Sequence, residues 1–273
     1  MSSTTIWQQR AWNPITGCTK ISDACTECYA QKVAIRQWRA GHKMYRNGFR
    51  LTLHPEVLKQ PLSWTTPEVI FVCSSSDLFH KKVPDSFILE VFQIMNTATW
   101  HIFQILTKRS DRLLKLAPQI DWSENIWVGV TIESQKYLFR KNHLAQISAA
   151  VKFLSFEPLL SGIPNIDLRD TDWVIASGEI GKKRRKTKIE WLQCLREQCL
   201  AADVPFFFAE WGGETKKGNS RLLDGREWNE LPNVAAHYGL VDYYPIWFED
   251  ITKPIRVESS TNNSLMLPLN STT

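Results

Sequence analysis

The chain is predicted to be an α/β protein built on a partial (β/α) barrel, and three observations point there. Short apolar runs recur along the 273 residues, most of the intervals between them carry helical patterns, and charged residues follow the runs at their C-terminal ends. Continuous rather than alternating apolarity marks strands covered on both faces, as in a parallel sheet. Strand and helix in alternation with right-handed crossovers leave an open doubly wound sheet or a barrel. The charged strand ends favour the barrel, which collects its active-site groups at that face.

Taken in order, a weak first strand is expected between Ile6 and Ile15. Six stronger ones follow: "VIFVC" at 69–73, "IFQIL" at 102–106, "IWVGVTI" at 126–132, "VKFLSF" at 151–156, "WVIAS" at 173–177 and "PFFFA" at 205–209. Among the intervals, "DSFILEVFQIMNTA" places Phe87, Ile88, Val91, Phe92, Ile94 and Met95 on one helical face. "KIEWLQCLREQCLAA" is expected to do the same with Trp191, Leu192, Leu195 and Leu200. The interval 158–171 holds two prolines and no clear helix. After Trp211 the composition turns polar, and "LLDGREW" carries the Asp-Gly signature of a tight hairpin. The expected organisation is a barrel over 1–211, a small hairpin-containing extension over 212–250, and a disordered polar tail over 251–273.

Composition excludes several classes. A hydrophobic fraction of 43% supports a globular core. No run of eighteen apolar residues exists, and "MSSTTIWQQR" lacks the order of a signal peptide, so no membrane partner and a cytoplasmic location are expected. There the six cysteines are thiols or ligands before they are disulfides. The net charge of +5 is local, because "KKRRKTK" at 182–188 holds six basic residues and subtracting them leaves −1. Such a run is commonly just solvated; as a patch it would hold phosphates or nucleic acid.

The stretch "GCTKISDACTECYA" puts Cys18, Cys25 and Cys28 in the spacing C-x6-C-x2-C. Each iron of a [4Fe–4S] cube wants an outer ligand, normally a thiolate. Three cysteines leave one iron open to a small chelator, for which the amino and carboxylate groups of S-adenosylmethionine (SAM) are suited. Cys28 opens the helical-looking "CYAQKVAIRQWRA", whose backbone N–H groups would stabilise thiolate and sulfide. The alternative is zinc, with His42 as fourth ligand. Position favours the cluster, because the cysteines follow the first strand, at the face where the acidic residues converge.

From "WNPITGCTKISDACTECYA" onward, the chain resembles a phage and bacterial family of unresolved function with a radical-SAM-like three-cysteine motif, found beside genes for a three-Cys-motif partner protein. The matching stretches continue through "LHPEVLKQPLSW", "SSSDLFHKKVP", "FQILTKRSDRL", "ENIWVGVTIE", "KFLSFEPLL", "DWVIASGE", "LREQCLAADVPFFFAEWG" and "LLDGREWNELP", covering the chain to about residue 232. The resemblance implies a partial (β/α) barrel of radical-SAM type with Cys18, Cys25 and Cys28 as cluster ligands. It also implies an external electron donor, cleavage of SAM to a 5′-deoxyadenosyl radical, and hydrogen abstraction from an unidentified substrate, for which a nucleic-acid origin is one option. Asp77, with Ser75 and Ser76 beside it, is then expected to hold the SAM ammonium, and Glu133 the ribose or amino-acid part. Glu157, Ser177, Gly178 and Glu179 would line the adenine or substrate side, while Lys108, Arg109 and Arg185 would hold a carboxylate or phosphate. The three-Cys-motif partner protein is an expected partner on the same ground.

This chain departs from the superfamily's usual C-x3-C-x2-C spacing, and "SSSD" stands where a Gly-Gly-Glu triplet is common. Ile180 replaces a hydroxyl residue, the basic run 182–188 is this chain's own, and "AEWG" replaces the family's "KQWG", which puts a transferred role for Glu210 in doubt. Cys73 reads as a small core residue, Cys194 and Cys199 as poorly placed for a second cluster, and His54 and His101 as structural; His80 stands closer to the site. Two rival functions remain at this level. One is a zinc-stabilised nucleic-acid-binding protein without chemistry; the other is a barrel glycosidase using strand-end carboxylates such as Glu133 and Glu210.

Overall fold

A computed structural model of the chain describes residues 8–214 and 220–232. Seven strands form one all-parallel sheet in sequential order: β1 (Gln8–Trp12), β2 (Glu68–Val72), β3 (Ile102–Thr107), β4 (Ile126–Thr131), β5 (Val151–Phe156), β6 (Trp173–Ser177) and β7 (Phe206–Glu210). The sheet curls into a partial barrel, with β1 and β7 as its two edges. Helices occupy the intervals: α1 (Tyr29–Arg39), α2 (Asp85–Thr97), α3 (Ser110–Leu116), α4 (Phe139–Leu144) and α5 (Ile189–Ala201). As expected, 158–171 contains no helix.

Period-two alternation divides the strands between two cores. Ile70, Val72, Phe103, Ile105, Val128, Val130, Leu154, Val174 and Phe206 belong to the larger apolar cluster, together with the helix residues. Their neighbours Val69, Phe71, Ile102, Trp127, Phe153, Trp173 and Phe207 form a second cluster, inside the curl. Trp173 packs edge-on against Trp127 at 6.4 Å and against Phe207 at 6.1 Å, so aromatic rings plug the barrel interior. Farther toward the C-terminal strand ends the inward positions turn polar, at Thr131, Glu157 and Ser177, and that change of chemistry opens the cleft.

All six apolar residues expected on the face of α2 are buried. On α5 the register differs from expectation. Leu192 and Leu195 are buried, but Leu200 is 49% exposed and Cys199 takes the inward place. Cys199 lies four residues beyond Leu195, the helical repeat that Leu200 misses. The expected hairpin is present, with Leu222–Leu223 paired to Arg226–Glu227 around Asp224 and Gly225, both at positive φ. It covers the outer edge of β7, where Phe208 N donates to Trp228 O at 2.9 Å and Phe206 N to the Glu230 carboxylate at 2.9 Å. Residues 233–250 of the expected extension and the tail 251–273 lie outside the described residues. Among the described residues, no helix is long and apolar enough to cross a membrane.

Gly129 of β4 stands opposite Phe153 of β5, and a Cβ there would meet the Phe153 ring at 2.3–2.6 Å. The inner plug is closed against extra volume at this point. Gly129→Ala is expected to cost about 1–3 kcal/mol by overpacking, read as a lower urea midpoint at unchanged m-value.

Candidate functional site: a three-cysteine cleft at the strand ends

The chain leaves β1 through Asn13, whose side-chain oxygen accepts from Ser74 Oγ at 3.1 Å and from the Ser75 backbone N–H at 3.2 Å. It then turns at Gly17, which has φ +77° and would place a Cβ 2.3 Å from the Arg50 carbonyl oxygen. A glycine is therefore required before the first cysteine. The Ser76 hydroxyl donates to the Gly17 carbonyl at 2.6 Å, and the Gly17 N–H to Ser75 O at 3.2 Å. Cys18, Cys25 and Cys28 are half-buried free thiols, and all three line one cleft with Asp77, Lys108 and Glu157. Cys28 immediately precedes α1.

Three strand-end carboxylates hold this loop, each through a cation. After β2, Asp77 accepts from Arg109 Nη1 at 2.7 Å, Thr107 Oγ1 at 2.7 Å, Phe79 N at 3.0 Å and Lys108 N at 3.2 Å. The same guanidinium reaches Cys18 Sγ at 3.5 Å and the Thr19 carbonyl at 2.9 Å. After β4, Glu133 accepts from Ser22 Oγ at 2.5 Å and Arg140 Nη1 at 2.9 Å. Arg140 in turn stacks 4.2 Å from the centre of the Tyr137 ring, whose hydroxyl accepts from Asp23 N at 3.2 Å. After β6, Glu179 takes the Arg185 backbone N–H at 2.7 Å and its Nε at 2.9 Å, while Arg185 Nη2 donates to the Asp23 carbonyl at 3.1 Å.

Burial raises the Cys18 thiol to about 11, with the Asp77 charge adding to the effect and Arg109 opposing it. Cys25 differs. Burial alone would raise it too, but the Lys108 charge and hydrogen bonds at Ile21 and Ser22 bring it below its ordinary value. Cations beside thiols favour thiolate and metal ligation. Among the described residues, no three His, Cys, Asp or Glu side chains gather closely enough to share a single metal ion. The corners of an iron–sulfur cube stand farther apart than the ligands of one ion, and three cysteines around one cleft suit that wider guest.

Deeper in the cleft the polar groups are not consumed in this way. Glu157 is buried and accepts from Ser155 Oγ at 2.9 Å through one carboxylate oxygen, while the other has no hydrogen-bond partner. Among the described residues Thr131 Oγ1 is likewise buried without a partner, and Ser177 Oγ, buried beside the Glu157 carboxyl, makes no hydrogen bond of ordinary geometry; both line the cleft. Burial pushes the Glu157 carboxyl up from 4.5 to about 7, with the Ser155 and Ser177 hydroxyls and Lys108 opposing and the Glu210 charge reinforcing the rise.

Several sequence expectations change in this light. Asp77, expected at the SAM ammonium, has both oxygens engaged inside the protein. Ser75 is tied to Asn13 and Ser76 to Gly17, so these hydroxyls shape the loop. Glu133, expected at the ribose or the amino-acid part of SAM, is fully buried under Arg140 and Ser22 and does not line the cleft. Arg109 and Arg185 bridge carboxylates to the cysteine loop and are not free to hold an anion. Gly178 is needed for close approach, since a Cβ would lie 1.9 Å from the Trp211 carbonyl oxygen. Of the expected site residues, Ser76, Asp77, Lys108, Arg109, Glu157, Ser177, Gly178 and Glu179 line the cleft, and Ser75, Glu133 and Arg185 do not. His42, the zinc alternative, instead accepts the Met44 N–H within its own turn. His54 and His101 are hydrogen-bonded inside the protein, as expected. Sequence reasoning missed Thr131, the last residue of β4, and the clamp residues Ser22, Tyr137 and Arg140.

Fold and site together define a parallel partial (β/α) barrel with a cysteine-lined cleft at the C-terminal ends of its strands. The chain belongs to the DUF5131 family, described as a protein of unknown function, whose model matches residues 2–232. No curated protein and no solved structure matches it.

Arg109→Met would leave the buried Asp77 carboxylate without its cation and is expected to cost about 3–5 kcal/mol. Adding Asp77→Leu should restore part of that loss, which a double-mutant cycle in urea measures. For Glu157, the folded state holds its proton up to about pH 7 while the unfolded chain releases it near 4.5. Stability therefore falls as pH rises across that window and levels off above it. Glu157→Gln should remove this slope and make the variant more stable above pH 7, by up to about 3 kcal/mol, as followed by urea unfolding at successive pH values.

Proposed function

We propose that this chain is an iron–sulfur enzyme of the radical-SAM type, in which Cys18, Cys25 and Cys28 hold a [4Fe–4S] cluster and the remaining iron takes SAM. The observation that carries the reading is three thiols lining one cleft at the C-terminal mouth of a parallel barrel, with cationic groups at two of them. When bound and reduced by an external donor, such a cluster supplies the electron that cleaves SAM to methionine and a 5′-deoxyadenosyl radical, which removes a hydrogen atom from the substrate. The chain's own residues do the holding. Arg109 and Lys108 offset negative charge at Cys18 and Cys25, and the start of α1 offers backbone N–H groups beside Cys28. Lys108, which lines the cleft 3.9 Å from the Glu133 carboxylate, is a cation that a substrate or SAM carboxylate would share, and Thr131, Glu157 and Ser177 present hydrogen-bonding groups to adenine or substrate. Phe71 and Leu106 give the cleft an apolar wall.

The rival readings draw less support. A zinc site would need a fourth ligand, and His42 does not line the cleft. Of the strand-end pair expected for a glycosidase, Glu133 is engaged by Arg140, and neither Glu133 nor Glu210 lines the cleft.

Anaerobically reconstituted protein should be brown, with absorbance near about 400 nm from thiolate–iron charge transfer. Cys18→Ala, Cys25→Ala and Cys28→Ala should each lose iron, whereas Cys194→Ala should keep it. Equal iron in all four variants would refute the ligand assignment. With a reductant and SAM, the wild-type protein should release 5′-deoxyadenosine, and its absence from an iron-loaded sample would refute the activity.

A further inference from the structure

Cations from three separate elements converge at the mouth of the cleft. Lys32 of α1 donates to Glu27 at 2.8 Å, and Lys20 of the cysteine loop and Lys183 of the 182–188 strap act on the same carboxylate. The strap itself is fixed. Gly181 N donates to Gly213 O at 2.8 Å, the Thr187 hydroxyl to Leu159 O at 3.0 Å, and Arg185 spans from Glu179 to the Asp23 carbonyl. Arg184 is turned toward Glu214, 3.9 Å away, but Lys182, Lys183 and Lys186 are exposed. An untethered basic run would be a solvated loop; this one is held beside Glu179 and Ile180, which line the cleft. Exposed lysines on a tethered segment suit a phosphate-bearing ligand.

The floor asks for different chemistry. Glu157 faces Glu210 of β7, Lys108 beyond β3 and Tyr29 of α1. An anion is disfavoured by the two carboxyls, and a cation by Lys108. A neutral group with donors and acceptors along one edge would satisfy Thr131 Oγ1 and the unfilled hydrogen-bonding positions of the neighbouring Glu157 and Ser177 oxygens. Phe71, Leu106 and Pro158 supply apolar wall for a ring. Phosphate at the rim and a neutral heteroatom-edged ring at the floor are the two halves of a nucleotide.

We propose that the cleft takes one unpaired nucleotide of a single-stranded nucleic acid, its phosphates on Lys182, Lys183 and Lys186 and its base edge on Thr131, Glu157 and Ser177. This deepens the radical-enzyme reading by naming the substrate class, and rests on it only for the chemistry after binding. A paired base cannot reach the floor without leaving its stack, so duplex should bind less well.

The test is fluorescence anisotropy of the full chain with labelled homopolymers of about 12 nucleotides, of DNA and RNA, over a salt series. Single strands should bind more tightly than duplex. Lys182→Ala/Lys183→Ala/Lys186→Ala should weaken binding by about tenfold or more and reduce the salt slope by about 2, with an unchanged melting temperature. Glu157→Gln and Ser177→Ala should leave the salt slope alone and change the ranking among homopolymers. Duplex or inorganic polyphosphate binding as tightly as every single strand would overturn the proposal, as would a triple variant with wild-type affinity. Neither iron nor SAM is needed, so loss of the oligonucleotide result leaves the cluster reading intact, and the reverse holds for loss of iron binding.

Discussion

The guanidinium of Arg109 sits between the Asp77 carboxylate and the first cysteine, and the site depends on that bridge. The loop carrying Cys18, Cys25 and Cys28 has one short 3-10 turn, Asp23–Cys25, and pairs with no strand along that stretch. Its geometry must come from side chains reaching up from the barrel. Asp77, Glu133 and Glu179 supply three such anchors from the ends of three strands, with Arg109, Arg140 and Arg185 as the intermediaries. All three carboxylates lie under nearly complete cover, where an ion pair holds position only if its remaining hydrogen bonds are also met. For Asp77 they are, through Thr107, Phe79 and Lys108.

This arrangement separates two uses of the same residue type. A carboxylate already neutralised by arginine is a fixed structural charge with little left to offer a ligand. Among the described residues no arginine pairs with Glu157; Ser155 donates to one oxygen, the Ser177 hydroxyl stands beside the carboxyl, and a second carboxyl, Glu210, is near. Desolvation then decides its protonation, and it becomes the strand-end acid able to change state near neutrality. The polar floor formed by Thr131, Glu157 and Ser177 lies directly above an aromatic plug that admits no ligand. Depth along the barrel therefore sorts the interior into a closed apolar half and a reactive polar half.

The basic strap is a second consequence of the clamps. Arg185 is spent on Glu179 and the Asp23 carbonyl, and in being spent it fixes the lysines on either side of it. A run that composition alone reads as one patch of charge thus divides into one structural arginine and several exposed lysines.

The seven strands, the buried face of α2, the Asp-Gly hairpin and the clustering of the cysteines were legible in the sequence, because each follows from local pattern: a continuous apolar run, a period of 3.6, a turn dipeptide, a short loop. Cys199 and Leu200 mark the edge of that legibility, adjacent residues on a weakly patterned helix whose facing is set by what packs against it. Which carboxylate is clamped and which is free was decided only by the tertiary structure. Asp77, Glu133, Glu157 and Glu179 are all acids just beyond a strand; what distinguishes them is whether an arginine 6 to 32 residues away in the chain lands beside them. Local pattern places a side chain on a face, but its charge partner, and hence its chemistry, depends on contacts that only the closed fold creates.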